Sequence, residues 1–203
     1  MANMAEARIK REFKDALLGG GGGGGGGECL VKMELVNDSW TELRGEITGP
    51  RGTPYEGGKF VLEIKVPDRY PYTPPEVRFV TRIWHPNVSS VTGAIRMDIL
   101  KDHWAAAMTL RTVLLSLQGL LTAAEPEDWQ DFVVALQFKK RHDLFLLTAK
   151  HWTSAYAGGP RTFPELDLKI ERLKDMGIDE HDARVVLSKE NWDLERAAEC
   201  LFI

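Results

Sequence analysis

The change of hydrophobic period partway along the chain is the feature that most restricts the fold. Between residues 29 and 80, four short segments alternate apolar and polar side chains and are separated by turn-forming residues. From residue 109 onward, apolar residues recur at helical spacing. Short strands with short connections predict an antiparallel meander, and with the helices they give an α+β fold. The predicted strands are CLVKMELVN (29–37), TELRGEITG (41–49), KFVLEIKV (59–66) and EVRFV (76–80).

Two segments around the strands have special backbone requirements. YPYTPP, residues 70–75, is predicted to be extended, because its prolines exclude both helix and central strand. Nine consecutive glycines occupy residues 19–27. Each glycine loses much backbone entropy on ordering, so this run is predicted to be a flexible loop, and no function is assigned to it.

An amphipathic helix is predicted over residues 5–18, with Ile9, Phe13 and Leu17 on its apolar face. Its other side is basic, which predicts either a solvated surface or a docking surface for an acidic partner. The basic residues on this side of the helix include Arg8, Lys10 and Arg11.

Helices are also predicted for most of the second half of the chain. Thr109 can cap the first of them, which is apolar on most sides and is therefore predicted to be buried. The segment AGGP at residues 157–160 interrupts the pattern. We therefore predict a first domain over residues 1–156, a linker over 157–164 and a small three-helix domain over 165–203. The predicted helices are 110–124, 128–141, 143–156, 165–176, 180–188 and 193–202.

Composition narrows the partners and the compartment. The formal net charge of -4 over 203 residues argues against a nucleic-acid-binding protein. No apolar run approaches the ~20 residues of a membrane span and no signal-peptide pattern begins the chain, so a cytoplasmic location is predicted, with the nucleus as an alternative. Cys29 and Cys200 lie far apart without a CxxC motif or a Cys/His cluster, so no disulfide and no metal site is predicted. Both are predicted to be buried thiols.

The segment HPNVSSVTGAIRMD, residues 85–98, has the composition of neither a buried strand nor an ordinary helix, and it predicts an ordered loop that forms a site. Together with PYEGGKFVLEIKVP and DILKDHWAAAMTLRTVLLSLQGLL, it makes residues 1–156 closely resemble the ubiquitin-conjugating enzyme family. The segments MGI and NWDLERAAECL resemble those of the 25-kDa type of member, which carries a C-terminal ubiquitin-associated domain. The resemblance implies an N-terminal helix, a four-stranded meander and C-terminal helices, followed by a three-helix ubiquitin-associated bundle.

The resemblance also implies partners and a chemistry. In that family, ubiquitin is carried as a thioester on a loop cysteine and is then passed to a lysine amine. The implied partners are ubiquitin, the ubiquitin-activating enzyme and ubiquitin ligases, with no cofactor bound to the chain because the activating enzyme consumes the ATP. Asn87 matches the oxyanion asparagine and Asp128 the acidic residue that orients or deprotonates the lysine. His85 and Pro86 match residues that hold the turn.

Residue chemistry leaves other roles open for Asn87 and Asp128. Compared with the family that it resembles, the sequence also departs at two positions. Asn87 could be a simple turn former, and Asp128 a helix N-cap. Arg96 stands where the cysteine is expected, and a guanidinium is no acyl nucleophile. Trp129 stands where the family usually has proline. We therefore predict an inactive relative with an outward-projecting Arg96; the alternative is an altered form of an active enzyme, or a sequence standing for one.

The resemblance further implies three partner-binding surfaces. Ligases would contact Tyr72 and the pair Ala106 and Ala107, although simple packing is the alternative for these residues. The activating enzyme would contact the basic face of the first helix. Ubiquitin would contact an apolar patch in the tail, where Gly177 could also be a plain helix stop. That patch comprises Met176, Gly177, Ile178, Leu201 and Phe202.

Overall fold

A helix, a four-stranded sheet and six further helices follow one another along the described part of the chain, which confirms the predicted order. The structure, a computed structural model, describes residues 3–19 and 31–202. The strands are β1 (Val31–Val36), β2 (Ser39–Thr48), β3 (Lys59–Lys65) and β4 (Glu76–Phe79). The helices are α1 (Met4–Gly19), α2 (Leu110–Thr122), α3 (Phe132–Lys140), α4 (His142–Ala157), α5 (Pro164–Asp175), α6 (Glu180–Lys189) and α7 (Leu194–Phe202).

The sheet is the predicted antiparallel meander, with its strands in the order β1-β2-β3-β4. Every second residue is buried in β3 and, from Leu43 to Ile47, in β2, as a sheet with one core face requires. Gly45 lies on the covered face of β2, and a Cβ atom there would stand 3.0 Å from a methyl group of Leu114. The missing side chain therefore lets α2 pack closely on the sheet. Thr109 caps α2, as predicted, by accepting a hydrogen bond from the Thr112 backbone N–H at 3.1 Å.

A buried carboxylate joins the N-terminal helix to the rest of this core. Glu12 on α1 accepts hydrogen bonds from the Tyr70 hydroxyl at 2.6 Å, the Leu110 backbone N–H at 2.9 Å and Arg8 Nε at 2.8 Å. The three donors belong to the proline-rich corner, the start of α2 and α1 itself. A carboxylate oxygen can accept several such bonds, which offsets the cost of burying the charge.

The proline-rich corner differs from the extended segment that we predicted. Its backbone forms consecutive turns, closed by Tyr70 N–H to Pro67 O at 2.9 Å and Tyr72 N–H to Arg69 O at 2.9 Å. The prolines do exclude helix and strand, but the N–H groups between them remain free to close turns.

Several predicted boundaries also need correction. The third helix begins at Phe132 and not at Asp128, because the Asp131 side chain caps it by accepting from the Val134 backbone N–H. Gly19, assigned to the glycine loop, ends α1. Ala157 and Pro164, assigned to the linker, are helical. Residues 20–30, with the rest of the glycine run and Cys29, and the side chain of Leu17 lie outside the described residues.

The last three helices form a bundle with its own buried cluster. This tail cluster is Leu166, Ile170, Leu173, Ala183, Leu187, Trp192 and Ala197. Leu147 of α4 packs against the tail cluster, and Val185 of α6 packs against the core cluster. The bundle is therefore docked on the core and shares apolar contacts with it.

The prediction that Cys200 is buried is wrong, because the thiol is exposed on α7. The residues of α7 that pack on the tail cluster are Leu194, Ala197, Ala198 and Leu201, a stripe with helical spacing. Cys200 falls outside this stripe. None of the helices in residues 3–19 and 31–202 combines the length and apolar character that a membrane crossing needs.

Candidate functional site

The loop at residues 85–98 is organised by a buried histidine. His85 is fully buried; its Nδ1 accepts a hydrogen bond from the Asn87 backbone N–H, and its Nε2 lies 3.0 Å from the Leu120 carbonyl. Since Nδ1 accepts, the proton must reside on Nε2, which donates to Leu120. Burial lowers the pKa of His85 to about 4, although the bond to Leu120 acts in the opposite direction. His85 is therefore neutral, and its two ring nitrogens connect the Asn87 backbone to the end of α2.

Asn87 ties this loop to the segment between α2 and α3. Its side-chain amide donates to the Glu125 carbonyl at 2.9 Å and to the Asp128 carbonyl at 2.8 Å, and its oxygen accepts from the Glu125 backbone N–H at 2.9 Å. The side chain is fully buried. Both amide protons are engaged, so stabilising an oxyanion would require one of these bonds to open.

The carbonyl of Pro86 and the side chain of Asp131 hold the same two segments together. The Pro86 oxygen accepts from the backbone N–H groups of Gln130 at 2.9 Å and Asp131 at 3.0 Å. The Asp131 carboxylate in turn accepts from the Ser90 hydroxyl at 2.6 Å and the Ser90 N–H at 3.0 Å. Asp131 thus caps α3 and anchors the loop, a role that the sequence analysis missed although an Asp directly before an apolar helix is a recognisable cap signal.

Arg96 lies at the junction where the loop at residues 85–98 meets the segment between α2 and α3. Its backbone N–H donates to the Asn87 carbonyl at 2.9 Å, and its Nε donates to the Asp128 carboxylate. The Arg96 side chain is 45% exposed and that of Asp128 39% exposed, so the pair lies at the surface. The structure therefore brings together three residues of the predicted site: Asn87, Arg96 and Asp128.

The chemistry available here follows from these side chains. A guanidinium has only donors and is no acyl nucleophile, and neither Arg96 nor Asp128 supplies a thiol. No group of three or more His, Cys, Asp or Glu side chains among the described residues could hold a metal ion. The junction thus presents a charged pair at the surface, held to the loop through the Arg96 backbone N–H.

Trp129, the second departure from the family pattern, is an exposed residue directly after Asp128. Its indole is 45% exposed and makes an edge contact with the ring of Phe132, with the ring centroids 5.4 Å apart. The Asp128 carbonyl still accepts the bond from Asn87. Trp129 therefore leaves the backbone of Asp128 anchored and adds an exposed aromatic surface beside it.

The two segments predicted to contact ligases lie against each other. Trp104 donates from Nε1 to the Pro71 carbonyl at 2.7 Å, which joins the segment of Ala106 and Ala107 to the corner that carries Tyr72. The Tyr72 side chain is 69% exposed, and Ala107 is also exposed. The packing alternative thus does not describe Tyr72.

The basic face of α1 is only partly available. Arg8 donates to Glu12 and to the Met108 carbonyl at 3.1 Å, so it serves the internal packing of the core. Lys10 and Arg11 are exposed and pair with acidic residues one turn away on the same helix. Such exposed pairs contribute little to stability and can exchange for other partners.

The predicted ubiquitin-binding patch in the tail is accessible. Met176 and Phe202 are 53% and 56% exposed, and Ile178 and Leu201 are half-buried. Gly177 has φ of 90°, and its N–H donates to the Lys174 carbonyl, so it ends α5 in the left-handed region. The helix-stop interpretation of Gly177 is therefore correct, and it is compatible with an exposed loop that carries Met176.

Comparison with known proteins identifies the class of protein to which this fold and site belong. A family model described as ubiquitin-conjugating enzyme matches residues 27–153. The chain is 73% identical over 202 residues to ubiquitin-conjugating enzyme E2-22 kDa of Drosophila melanogaster, with 100% of both chains covered. It is 57% identical over 201 residues to ubiquitin-conjugating enzyme E2 K of Homo sapiens, covering 99% of this chain and 98% of the relative.

A solved structure agrees with the family match. The ubiquitin conjugating enzyme E2 domain of Toxoplasma gondii superposes with a TM-score of 0.67 at 47% identity, covering 75% of this chain and 99% of that one. The fold and the loop thus define a ubiquitin-conjugating scaffold. The chain belongs to the ubiquitin-conjugating enzyme family, and its similarity to E2-22 kDa and E2 K runs through the three-helix tail. Membership implies ubiquitin, an activating enzyme and ligases as partners in general terms.

Proposed function

We propose that this chain is a non-catalytic member of its family, which binds ubiquitin and ubiquitin ligases without carrying ubiquitin as a thioester. The observation that carries the proposal is Arg96, whose guanidinium is bonded to Asp128 at the position where the family pattern places the cysteine. Arginine stays protonated throughout the physiological pH range and cannot attack an activated acyl group.

The cysteines elsewhere in the chain are poor substitutes. Cys200 lies on α7 in the tail, outside the loop at residues 85–98. Desolvation and the neighbouring Glu190 raise the pKa of its thiol, which reduces the fraction present as the nucleophilic thiolate. Cys29 lies outside the described residues and outside the loop in sequence.

The alternative function is that of an active ubiquitin-conjugating enzyme. In that case this chain is an altered form of the enzyme, or the sequence represents the enzyme with an altered residue 96. The 73% identity to an enzyme of the family favours it, as does the intact bonding of Asn87 to the segment that carries Asp128. Under this alternative, a cysteine at position 96 would carry ubiquitin, and ATP would be consumed by the activating enzyme and not by this chain.

Incubation with ubiquitin-activating enzyme, ATP and ubiquitin separates the two functions. We expect no reductant-sensitive ubiquitin adduct on the unsubstituted chain, read on non-reducing gels, because the loop at residues 85–98 contains no cysteine. Arg96→Cys should form the adduct, and Arg96→Ser is the matched control because a serine ester resists reductant.

One result would contradict the proposal, and another would exclude the alternative. A reductant-sensitive adduct on the unsubstituted chain would contradict it, and loss of that adduct in a Cys29→Ser/Cys200→Ser variant would assign the thiol. Silence of Arg96→Cys would show that the scaffold itself has lost transfer, which excludes the alternative of an otherwise active enzyme.

The tail bundle, which we assign as a ubiquitin-associated domain over residues 165–203, supports the binding function. We expect Met176→Ala to weaken ubiquitin binding about tenfold, since a central exposed apolar side chain often carries most of an interface. Leu168→Ala is the matched control, because Leu168 is equally exposed, at 55%, but lies outside the proposed patch. Titration of the full chain with labelled ubiquitin, followed by NMR, measures both. Equal losses in the two variants would exclude the patch.

The remaining surfaces complete the proposal. We propose that ligases bind to the surface formed by Tyr72, Ala106 and Ala107. The activating enzyme is proposed to bind to the exposed Lys10 and Arg11. Support comes from the exposure of Tyr72 and from the Trp104 bond that joins its corner to the alanine segment. A cytoplasmic location, with the nucleus as an alternative, belongs to the same proposal.

A further inference from the structure

The contact between core and tail contains a chain of side-chain hydrogen bonds. Arg184 on α6 donates from Nε to His151 Nε2 at 3.1 Å and from Nη1 to the Tyr156 hydroxyl at 3.0 Å. The Tyr156 hydroxyl lies 2.6 Å from Nδ1 of His181. His151 and Tyr156 belong to α4, whereas Arg184 and His181 belong to α6, so all three bonds cross from core to tail.

The direction of the first bond requires a neutral His151. A guanidinium has only donors, so Nε2 of His151 must be the acceptor and must carry no proton. In the neutral ring the proton then resides on Nδ1. This atom is buried without a hydrogen-bond partner, and the nearest carboxylate, that of Asp167 on α5, is 3.9 Å away. A second proton on the ring would place two N–H donors face to face, with Arg184 opposite Nε2.

The second imidazole is under a related constraint. The Tyr156 hydroxyl accepts from Arg184, and with a neutral His181 that carries its proton on Nε2 it donates its own proton to Nδ1. Protonation of Nδ1 would turn this acceptor into a donor and leave the hydroxyl proton without an acceptor. Nε2 of His151 must therefore stay unprotonated while the tail is docked, and protonation of His181 removes the acceptor of the Tyr156 hydroxyl proton.

The surrounding charges do not remove this conflict. Glu180 accepts from Arg184 Nη2 at 2.7 Å, and its negative charge acts to raise the pKa of His151, but burial and Arg184 have the larger, opposite effects. Arg82, from the segment after β4, adds positive charge near His181, and its guanidinium stands 5.6 Å from the Tyr156 ring centroid. The negative groups near His181 are Asp179 and Asp182, both on the tail itself. These two carboxylates stay with His181 whether or not the tail is docked.

We propose that this contact is an acid-sensitive latch, in which protonation of His151 and His181 releases the three-helix tail from the core. The proposal concerns docking between two parts of the chain and does not depend on the proposed loss of catalysis. The bonds that hold the latch are those of Arg184 and Tyr156, and the apolar contacts of Leu147 and Val185 remain available for docking again.

The direction of the pH effect follows from the pKa changes. Burial, and then the nearby Arg184, lower the pKa of His151 from its ordinary value of 6.5 to about 4 in the docked state. Burial and Arg82 lower the pKa of His181 as well. A depressed imidazole pKa means that the undocked state binds more protons, so docking is strongest above 6.5 and weakens as the pH falls below it. From His151 alone, the docking constant should fall about thirtyfold between about pH 7.5 and about pH 5.

Indole N–H signals of the full chain in nitrogen–proton NMR spectra test the latch. Trp152 and Trp192 donate across the contact, to Ser188 and Thr148 respectively, whereas Trp104 donates to Pro71 within the core. We expect the ratio of undocked to docked signal for the first two to rise about thirtyfold over that pH range, while Trp104 is unchanged. Loss of all three signals together would mean acid unfolding of the core and would overturn the latch.

Variants that keep an acceptor but cannot titrate provide the control. Gln at 151 places an oxygen near the position of Nε2, and Asn at 181 places one near Nδ1, so His151→Gln/His181→Asn should stay docked at both pH values. His103→Gln, at an exposed histidine outside the contact, should respond like the unsubstituted chain. A double variant that opens in parallel with the unsubstituted chain would overturn the proposal. So would nitrogen NMR of the imidazole showing that His151 carries its proton on Nε2 near neutral pH, which requires no variant.

Discussion

Replacing Gly93 with alanine is expected to lower the free energy of unfolding by about 3 kcal/mol, because the new side chain has no space. Gly93 has φ of 76°, in the left-handed region, and a Cβ atom there would stand 2.0 Å from the Phe79 carbonyl oxygen. The backbone cannot retreat without loss, since the Gly93 carbonyl accepts from the Phe79 N–H at 2.9 Å. The same contact anchors to β4 the loop that presents Arg96, so the loop should move as well.

Gly52→Ala is the matched control for this prediction. Gly52 has nearly the same φ, 75°, but a Cβ atom there would meet nothing within 4 Å. Alanine at Gly52 should therefore cost only the left-handed backbone conformation, about 1 kcal/mol. Urea unfolding followed by circular dichroism measures both variants. If the two losses were equal, crowding against Phe79 would not be the cause.

Replacing Gln137 with leucine should weaken both the core and the docking of the tail, by about 2 to 3 kcal/mol in total. The Gln137 oxygen accepts from Trp84 Nε1 at 2.8 Å, and its nitrogen donates to the Ser188 carbonyl at 3.1 Å and to Asn191 Oδ1 at 3.0 Å. Leucine is close in volume, so the loss comes from polar groups left without partners and not from a cavity. The Trp84 N–H is the most costly of these, because the indole is fully buried.

Gln118→Leu is the control that distinguishes docking from general destabilisation. Among the described residues, the Gln118 side chain on α2 makes one hydrogen bond, to the Thr48 carbonyl at 2.9 Å, within the core. It should lower the free energy of unfolding by about 1 kcal/mol and leave docking unchanged. The indole signals of Trp152 and Trp192 report docking in both variants, and urea unfolding reports stability. A Gln137→Leu protein that stays fully docked would show that the other contacts between core and tail suffice without the Gln137 bonds.

The elements of the fold were predictable because each follows from local spacing. The alternation in β2 and β3 and the helical period after Thr109 predicted the meander and the helices in the right order. Boundaries were less accurate where two signals compete. Asp128 and Asp131 both precede the apolar run of α3, and only the bond from the Val134 N–H identifies Asp131 as the cap.

The site was predicted from a specific sequence motif and not from the spacing of apolar residues. The segment at residues 85–98 identified the family, and the identity of residue 96 could be read directly from its position in the motif. What the sequence could not supply were the partners of each side chain: both protons of the Asn87 amide are bonded to main-chain carbonyls, and Arg96 is held by Asp128. Arg8 matched a basic docking surface in sequence, yet its side chain serves the core.

The sequence by itself determined the order of strands and helices, the family and the absence of a thiol at position 96, because these depend on residue type and near-neighbour spacing. Only the tertiary structure decided that the tail docks on α4 and that Cys200 faces solvent. It alone brought His151 opposite Arg184, two residues 33 positions apart in the chain. Contacts of this kind depend on how whole helices pack, and no local period in the sequence encodes that packing.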